Sequence, residues 1–248
     1  GDIGNQGVHQ MDIARWGLGL DRLPDAALSL GGRLGYEDDG NTPNSQLTLL
    51  EFGDKQLLFE VRGLQTGGWH NDVLRQVPVA QGQEQGYRNT HIGVIFRCEK
   101  GYLVIASYSR CLAFDLDGTL RKVFRGGGNH FQGFVDAVRS GDASRLTAGP
   151  LEGHLSAALC HLGNVSYRLG HAHALSSIRD PFGSHALAND TFTAFSKHLT
   201  RNRIAPTAEV LVGPRLTFDG TREHFTGEHA TEANALLTRP YRDAFRVV

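Results

Sequence analysis

Over residues 8–18 the apolar side chains of Val8, Met11, Ile13, Ala14, Trp16 and Leu18 recur at roughly helical spacing, and Gly17 and Gly19 stop the run. This spacing predicts one amphipathic helix. The period then changes. "AALSLGGRLGY", "SQLTLLEFG", "KQLLFEVRG", "HIGVIFRCE", "GYLVIASYS", "CLAFDLDG" and "TLRKVFRG" are short apolar runs, several alternating with period two, and turn signals separate them. Gly53-Asp54, Glu99-Lys100-Gly101 and Asp117-Gly118 supply hairpin chemistry, because glycine tolerates the positive φ of a tight reversal. Hairpins join antiparallel strands, so a largely antiparallel sheet is expected.

Helical spacing returns at residues 130–140, 152–169 and 185–202, and the tail adds one strand-like run, "EVLVGPRLTF", and one short helical run, "ATEANALLT". A sheet followed in sequence by helices reads as α+β, an open antiparallel sheet with helices packed on one face. Residues 63–90, polar and rich in glycine, are too long for a plain connector.

Composition narrows the partners. The chain has 248 residues with 25 basic and 26 acidic side chains, a net charge of −1, so no field gathers nucleic acid or an anionic membrane. No apolar run approaches the length of a membrane span. Cys98, Cys111 and Cys160 are odd in number, widely spaced and set in apolar runs, which reads as buried thiols in a reducing compartment such as the cytoplasm. An export signal on a longer parent would lie outside this sequence.

Two kinds of motif are incomplete. "VFRGGGNHF" follows a strand and precedes a helix, yet it lacks the third glycine of a dinucleotide fingerprint and the Gly-Lys-Ser/Thr of a P-loop, so it reads as a helix-capping loop. Of 12 histidines, the best metal candidates are His171 with His173 and His154 with His161, but neither pair has a carboxylate or thiolate at a diagnostic spacing. No metal is expected.

His9 and Asp12 are different. Three residues apart on a helix, they share a face, and Asn5 joins it if the helix starts early enough. Histidine is the side chain suited to exchanging a proton near neutral pH, and a neighbouring polar group orients its ring. Spacing alone also fits a histidine that is simply hydrogen-bonded in the core at a helix start.

"GVHQMDIARWGLG" resembles the helix that opens the carboxy-terminal domain of the glucose-fructose oxidoreductase / inositol dehydrogenase (Gfo/Idh/MocA) family, where Asp-x-Gly-x-His-x-x-Asp precedes an aromatic and Leu-Gly. Gly7, His9, Asp12, Trp16, Leu18 and Gly19 fall on that pattern. "VFRGGGNHFQGFVDAVRSGD" is similar to a later helix of the family, and "EGHLSAALCHLGNVSYRLG" with "EANALLTRPYRDAF" to its planctomycete-type branch.

The resemblance implies a single substrate-binding and oligomerisation domain over residues 1–248, with the NAD- or NADP-binding Rossmann domain absent from this chain. It implies an oxidoreductase acting on a sugar, cyclitol or related polyol, in which His9 takes part in proton transfer from the substrate hydroxyl and Asp12 contacts substrate. The family's first acid falls on Asn5, whose amide can hydrogen-bond a hydroxyl but cannot accept its proton. Arg62, at a strand end, and Trp69 with His70, in the long polar stretch, are further substrate-binding candidates. A homo-oligomer is expected, because alternation puts Leu47, Leu49, Leu57 and Phe59 where at least some would be exposed in a monomer. Two alternatives stay open: a non-catalytic oligomerisation or carbohydrate-binding module, and a redox-assisted lyase or glycosidase.

Overall fold

The computed structural model describes residues 1–65, 92–239 and 241–245. Trp69 and His70 lie outside the described residues. The fold is α+β with antiparallel sheets: every strand pair among the described residues is antiparallel. The chain divides into two compact units, one of Gly1–Val8, Arg22–Leu64 and Ala158–Val248, the other of His9–Asp21 and Gln65–Ala157.

The first unit holds a seven-stranded sheet. Its centre is β1 (Ala26–Gly32), flanked by β2 (Ser45–Phe52) and then β3 (Lys55–Arg62). Gly53, at φ 70, and Asp54 make the β2–β3 turn. The other edge of β1 is served by two strands in succession. Before these, β4 (Val94–Cys98), β5 (Gly101–Ser107), β6 (Arg110–Asp115) and β7 (Leu120–Arg125) form the separate sheet of the second unit, and β8 (His171–Ala174) precedes them in the chain as well. The two strands beside β1 are β9 (Glu209–Val212) and β10 (Leu216–Asp219), and β11 (His224–Thr226) closes that side. The run "EVLVGPRLTF" is thus two strands, because Pro214 has no N–H with which to continue a ladder.

Register decides what each sheet face carries. Leu28 opposes Leu49 and Leu30 opposes Leu47, so these four leucines share a face. They pack with Leu175, Ile178 and Phe182 and with Phe192, Phe195 and Leu199 of a helix over Ala186–Arg201. Ser29 and Thr48 oppose each other on the other face, and there a helix over Pro150–Arg168 brings its carboxy-terminal half down. A Cβ on Gly163 would sit 2.6 Å from the Thr48 methyl, so only glycine permits that approach. Helices therefore lie on both faces of this sheet, because serine and threonine leave room where leucine would not. The oligomer surface expected from Leu47, Leu49 and Leu57 is corrected by the same fact: these three are buried within the chain and Phe59 is partly so.

The helices in chain order are α1 (Asp2–Asn5), α2 (Gly7–Leu18), α3 (His130–Ser140), α4 (Pro150–Arg168), α5 (Ala186–Arg201) and α6 (Ala230–Ala235). In the second unit β4 to β7 form a four-stranded meander. Gly17 of α2 meets Phe96 of β4 so closely that an added Cβ would lie 2.1 Å from the ring. The glycine-rich loop before α3 is the expected capping loop: Asn129 accepts a hydrogen bond from the Gln132 amide. Cys160 is buried, which pushes its thiol up to about 12, and Cys111 is partly buried, but Cys98 is exposed, against the expectation of three buried thiols. It stands at the end of β4, where the turn leaves the sheet. No helix among the described residues is long and apolar enough to cross a membrane.

Candidate functional site

The helix predicted at residues 8–18 forms as α2, and it carries His9 and Asp12 on one side in the second unit. Asn5 does not share that helix: α1 ends at Asn5, and a turn at Gln6 separates it from α2. Asn5 is exposed and belongs to the first unit.

His9 is exposed, and its ring meets Tyr108 edge to face, with centroids 6.0 Å apart and planes at 72°. Tyr108 sits in the two-residue turn between β5 and β6 and is 68% exposed. Asp12 is not the group that orients the imidazole. Its Oδ1 accepts a hydrogen bond from the Ser156 hydroxyl at 2.5 Å, with Arg15 Nη2 3.7 Å away. Arg15 itself is buried, although it is charged. Its Nε donates to Ser156 Oγ at 3.1 Å, its Nη1 donates to the Leu20 carbonyl at 2.9 Å, and its Nη2 pairs with Glu152.

These contacts fix the direction of each proton. Ser156 Oγ accepts from Arg15, which has only donors, so its own hydroxyl proton goes to Asp12. A guanidinium flanked by carboxylates keeps its charge paired while out of water. Asp12 is consequently pinned through one oxygen. Its side chain is 28% exposed, and Oδ2 receives no hydrogen bond from the described residues. The arrangement can offer an exposed imidazole and a fixed carboxylate oxygen to a hydroxyl-bearing molecule from one helix face.

Arg62 lies in the first unit and pairs with Glu60, two residues earlier on the same face of β3. No group of three histidine, cysteine, aspartate or glutamate side chains that could hold a metal ion occurs among the described residues. Sequence reasoning missed Tyr108, Arg15, Ser156 and Glu152. Arg15, three residues after Asp12 on a helix, had a visible signal in that spacing; Ser156, 141 positions from Arg15, had none.

No protein-family model matches the chain, and no curated protein matches it. Among solved structures it is similar to the crystal structure of "a putative oxidoreductase from Klebsiella pneumoniae", with 14% identity, a TM-score of 0.45, and coverage of 77% of this chain and 52% of that one. The chain spans about half the length of that structure.

Proposed function

We infer that this chain is the substrate-side portion of an oxidoreductase acting on a sugar, cyclitol or related polyol. In this reading His9 receives or returns the proton of the reacting hydroxyl, and Asp12 Oδ2 accepts a hydrogen bond from a neighbouring one. The observation that carries it is the contrast within a single helix face: an exposed imidazole beside a carboxylate held by one oxygen and open at the other. The motif around Gly7, His9 and Asp12 supports the same assignment by its resemblance to the Gfo/Idh/MocA helix.

The described residues do not fit a resident dinucleotide. Pyrophosphate recognition of the Rossmann kind needs a glycine turn between a parallel strand and a helix, whereas the glycine loop at residues 126–128 leaves an antiparallel edge strand. NAD or NADP therefore belongs, in this reading, to a separate Rossmann domain, and the chain alone binds neither. Three free thiols suit a cytoplasmic setting. Asn5 is exposed and lies outside the helix of His9; its amide can hydrogen-bond a hydroxyl but cannot accept its proton.

The test is His9→Ala in an enzyme that joins this chain to its cofactor domain. Turnover is expected to fall about 100-fold, the range of a lost general acid or base, while the urea midpoint stays put because His9 is exposed. Matching losses of turnover and stability would favour the non-catalytic module, toward which the burial of Arg15 beside Asp12 points. Product analysis separates the redox-assisted lyase or glycosidase, which ends with its cofactor unchanged.

A further inference from the structure

The hairpin that carries Tyr108 leads into Arg110, the first residue of β6, and Arg110 stands directly opposite Arg125 of β7. Residues opposed across an antiparallel pair project to the same face with Cβ atoms about 5 Å apart, and like charges so placed repel. An intervening anion normally resolves such a pair, yet none is supplied by the described residues. Neither arginine side chain makes a hydrogen bond or an ion pair among the described residues, and Arg110 Nε is enclosed without an acceptor.

The acid on the same strand is too far away to help. Asp115 lies at the opposite end of β6, about 17 Å along the strand at 3.3–3.4 Å per residue, and it is held by Arg121. Guarding a sheet edge with cations accounts for Arg121 and Lys122 on the edge strand β7. It does not account for a partly buried arginine on the interior strand β6.

What adjoins the two arginines is backbone and hydroxyl. Residues 126–128 are consecutive glycines directly after Arg125, and the Gly126 N–H donates to the Ser109 carbonyl at 3.0 Å, which holds the start of this loop against the hairpin. A Cβ on any of the three glycines would meet nothing within 4 Å, so no side chain crowds the loop where a Cβ would stand. Ser107 and Ser109 are exposed at the same hairpin.

We propose that Arg110, Arg125 and the glycine loop at Gly127 and Gly128 seat the oxyanion of a small ligand, a carboxylate or a phosphate group. Guanidinium donors match the planar or tetrahedral oxygens of such a group and bind it through charge-assisted hydrogen bonds. The anion satisfies Arg110 Nε and removes the repulsion across the β6–β7 ladder. This seat goes beyond the polyol reading and stands whether or not His9 exchanges a proton.

The experiment follows the Arg110 Nε–H resonance and the amides of residues 126–128 by NMR on the full chain, titrated with inorganic phosphate, with gluconate, and with chloride at matched ionic strength. Saturable shifts with phosphate, gluconate or both, and not with chloride, are expected; which of the two saturates identifies the ligand's acid group. Arg125→Gln, at an exposed position, should weaken that binding about tenfold, as loss of a charge-assisted hydrogen bond does. Arg125→Glu places a carboxylate opposite Arg110, and should abolish binding while raising Tm. Arg121→Gln, whose guanidinium already has Asp115, should leave affinity unchanged. Equal drift in chloride, or undiminished affinity in both Arg125 variants, would overturn the proposal. Because no readout depends on turnover, failure here leaves the role of His9 untouched, and failure of His9→Ala leaves this seat untouched.

Discussion

Arg15 is the residue on which the α2 site depends, although it faces away from water. Four acceptors surround it, the Leu20 carbonyl, Ser156, Glu152 and Asp12, and deleting it leaves two carboxylates without their cation. Arg15→Ala is expected to cost about 2–4 kcal/mol, near the lower end for a broken buried pair because both carboxylates are partly exposed. Asp12→Asn is a milder change, since the amide oxygen still accepts from Ser156. Its urea midpoint should stay close to the parent's while substrate affinity falls, and a large loss of stability would show that Asp12 is a structural carboxylate only. The spacing of His9 and Asp12 was legible in the sequence. Their environments were not, because Ser156 and Glu152 come from α4, more than 130 positions away, and no local pattern encodes that meeting.

At the scale of elements, alternation and glycine-marked turns foretold β1 to β7, and helical periodicity foretold α2 to α5, each to within a few residues. What escaped were elements whose existence depends on a partner. The four residues of β8 read as a histidine pair and become a strand only by pairing with β9, and β11 exists through β10. Helix α2 shows the reverse case, where a residue unfavourable for its element is kept for a neighbour. Glycine costs a helix interior about 1 kcal/mol relative to alanine, so Gly17→Ala in isolation would stabilise. Against the Phe96 ring at 2.1 Å it should instead destabilise by about 1–3 kcal/mol, the range for overpacking. Thermal denaturation of Gly17→Ala alone and with Phe96→Ala checks this: the second change should recover most of the loss attributable to the first.

For the molecule as a whole, the apolar surface that asks for a partner lies elsewhere than the sequence indicated. The leucines of β2 are core. On α3, Phe131, Phe134 and Val138 are 73%, 60% and 64% exposed, and with Val135 they form an i, i+3, i+4, i+7 stripe. Contiguous apolar stripes of this kind are uncommon on monomers, and a net charge of −1 provides little repulsion to keep copies apart. Light scattering at micromolar concentration is expected to show a dimer or larger, and Phe131→Ser with Phe134→Ser should shift it toward monomer. A monomer in the parent chain would count against this surface as a subunit contact.

The interruption at Pro214 also reaches into the seven-stranded sheet. Where β9 gives way to β10, the Ser29 N–H on β1 has no strand carbonyl to meet; it donates instead to Ser166 Oγ of α4 at 2.9 Å, and that hydroxyl passes its own proton to the Pro214 carbonyl at 2.7 Å. A helix hydroxyl thus closes a ladder position in the middle of a sheet. Amide hydrogen exchange at Ser29 should therefore report the lifting of α4, an opening smaller than global unfolding, while its neighbours Leu28 and Leu30 exchange with the sheet. Ser166→Ala should speed exchange at Ser29 selectively, by roughly the tenfold to hundredfold that corresponds to an unsatisfied buried amide, and uniform acceleration along β1 would mean that helix and sheet open as one.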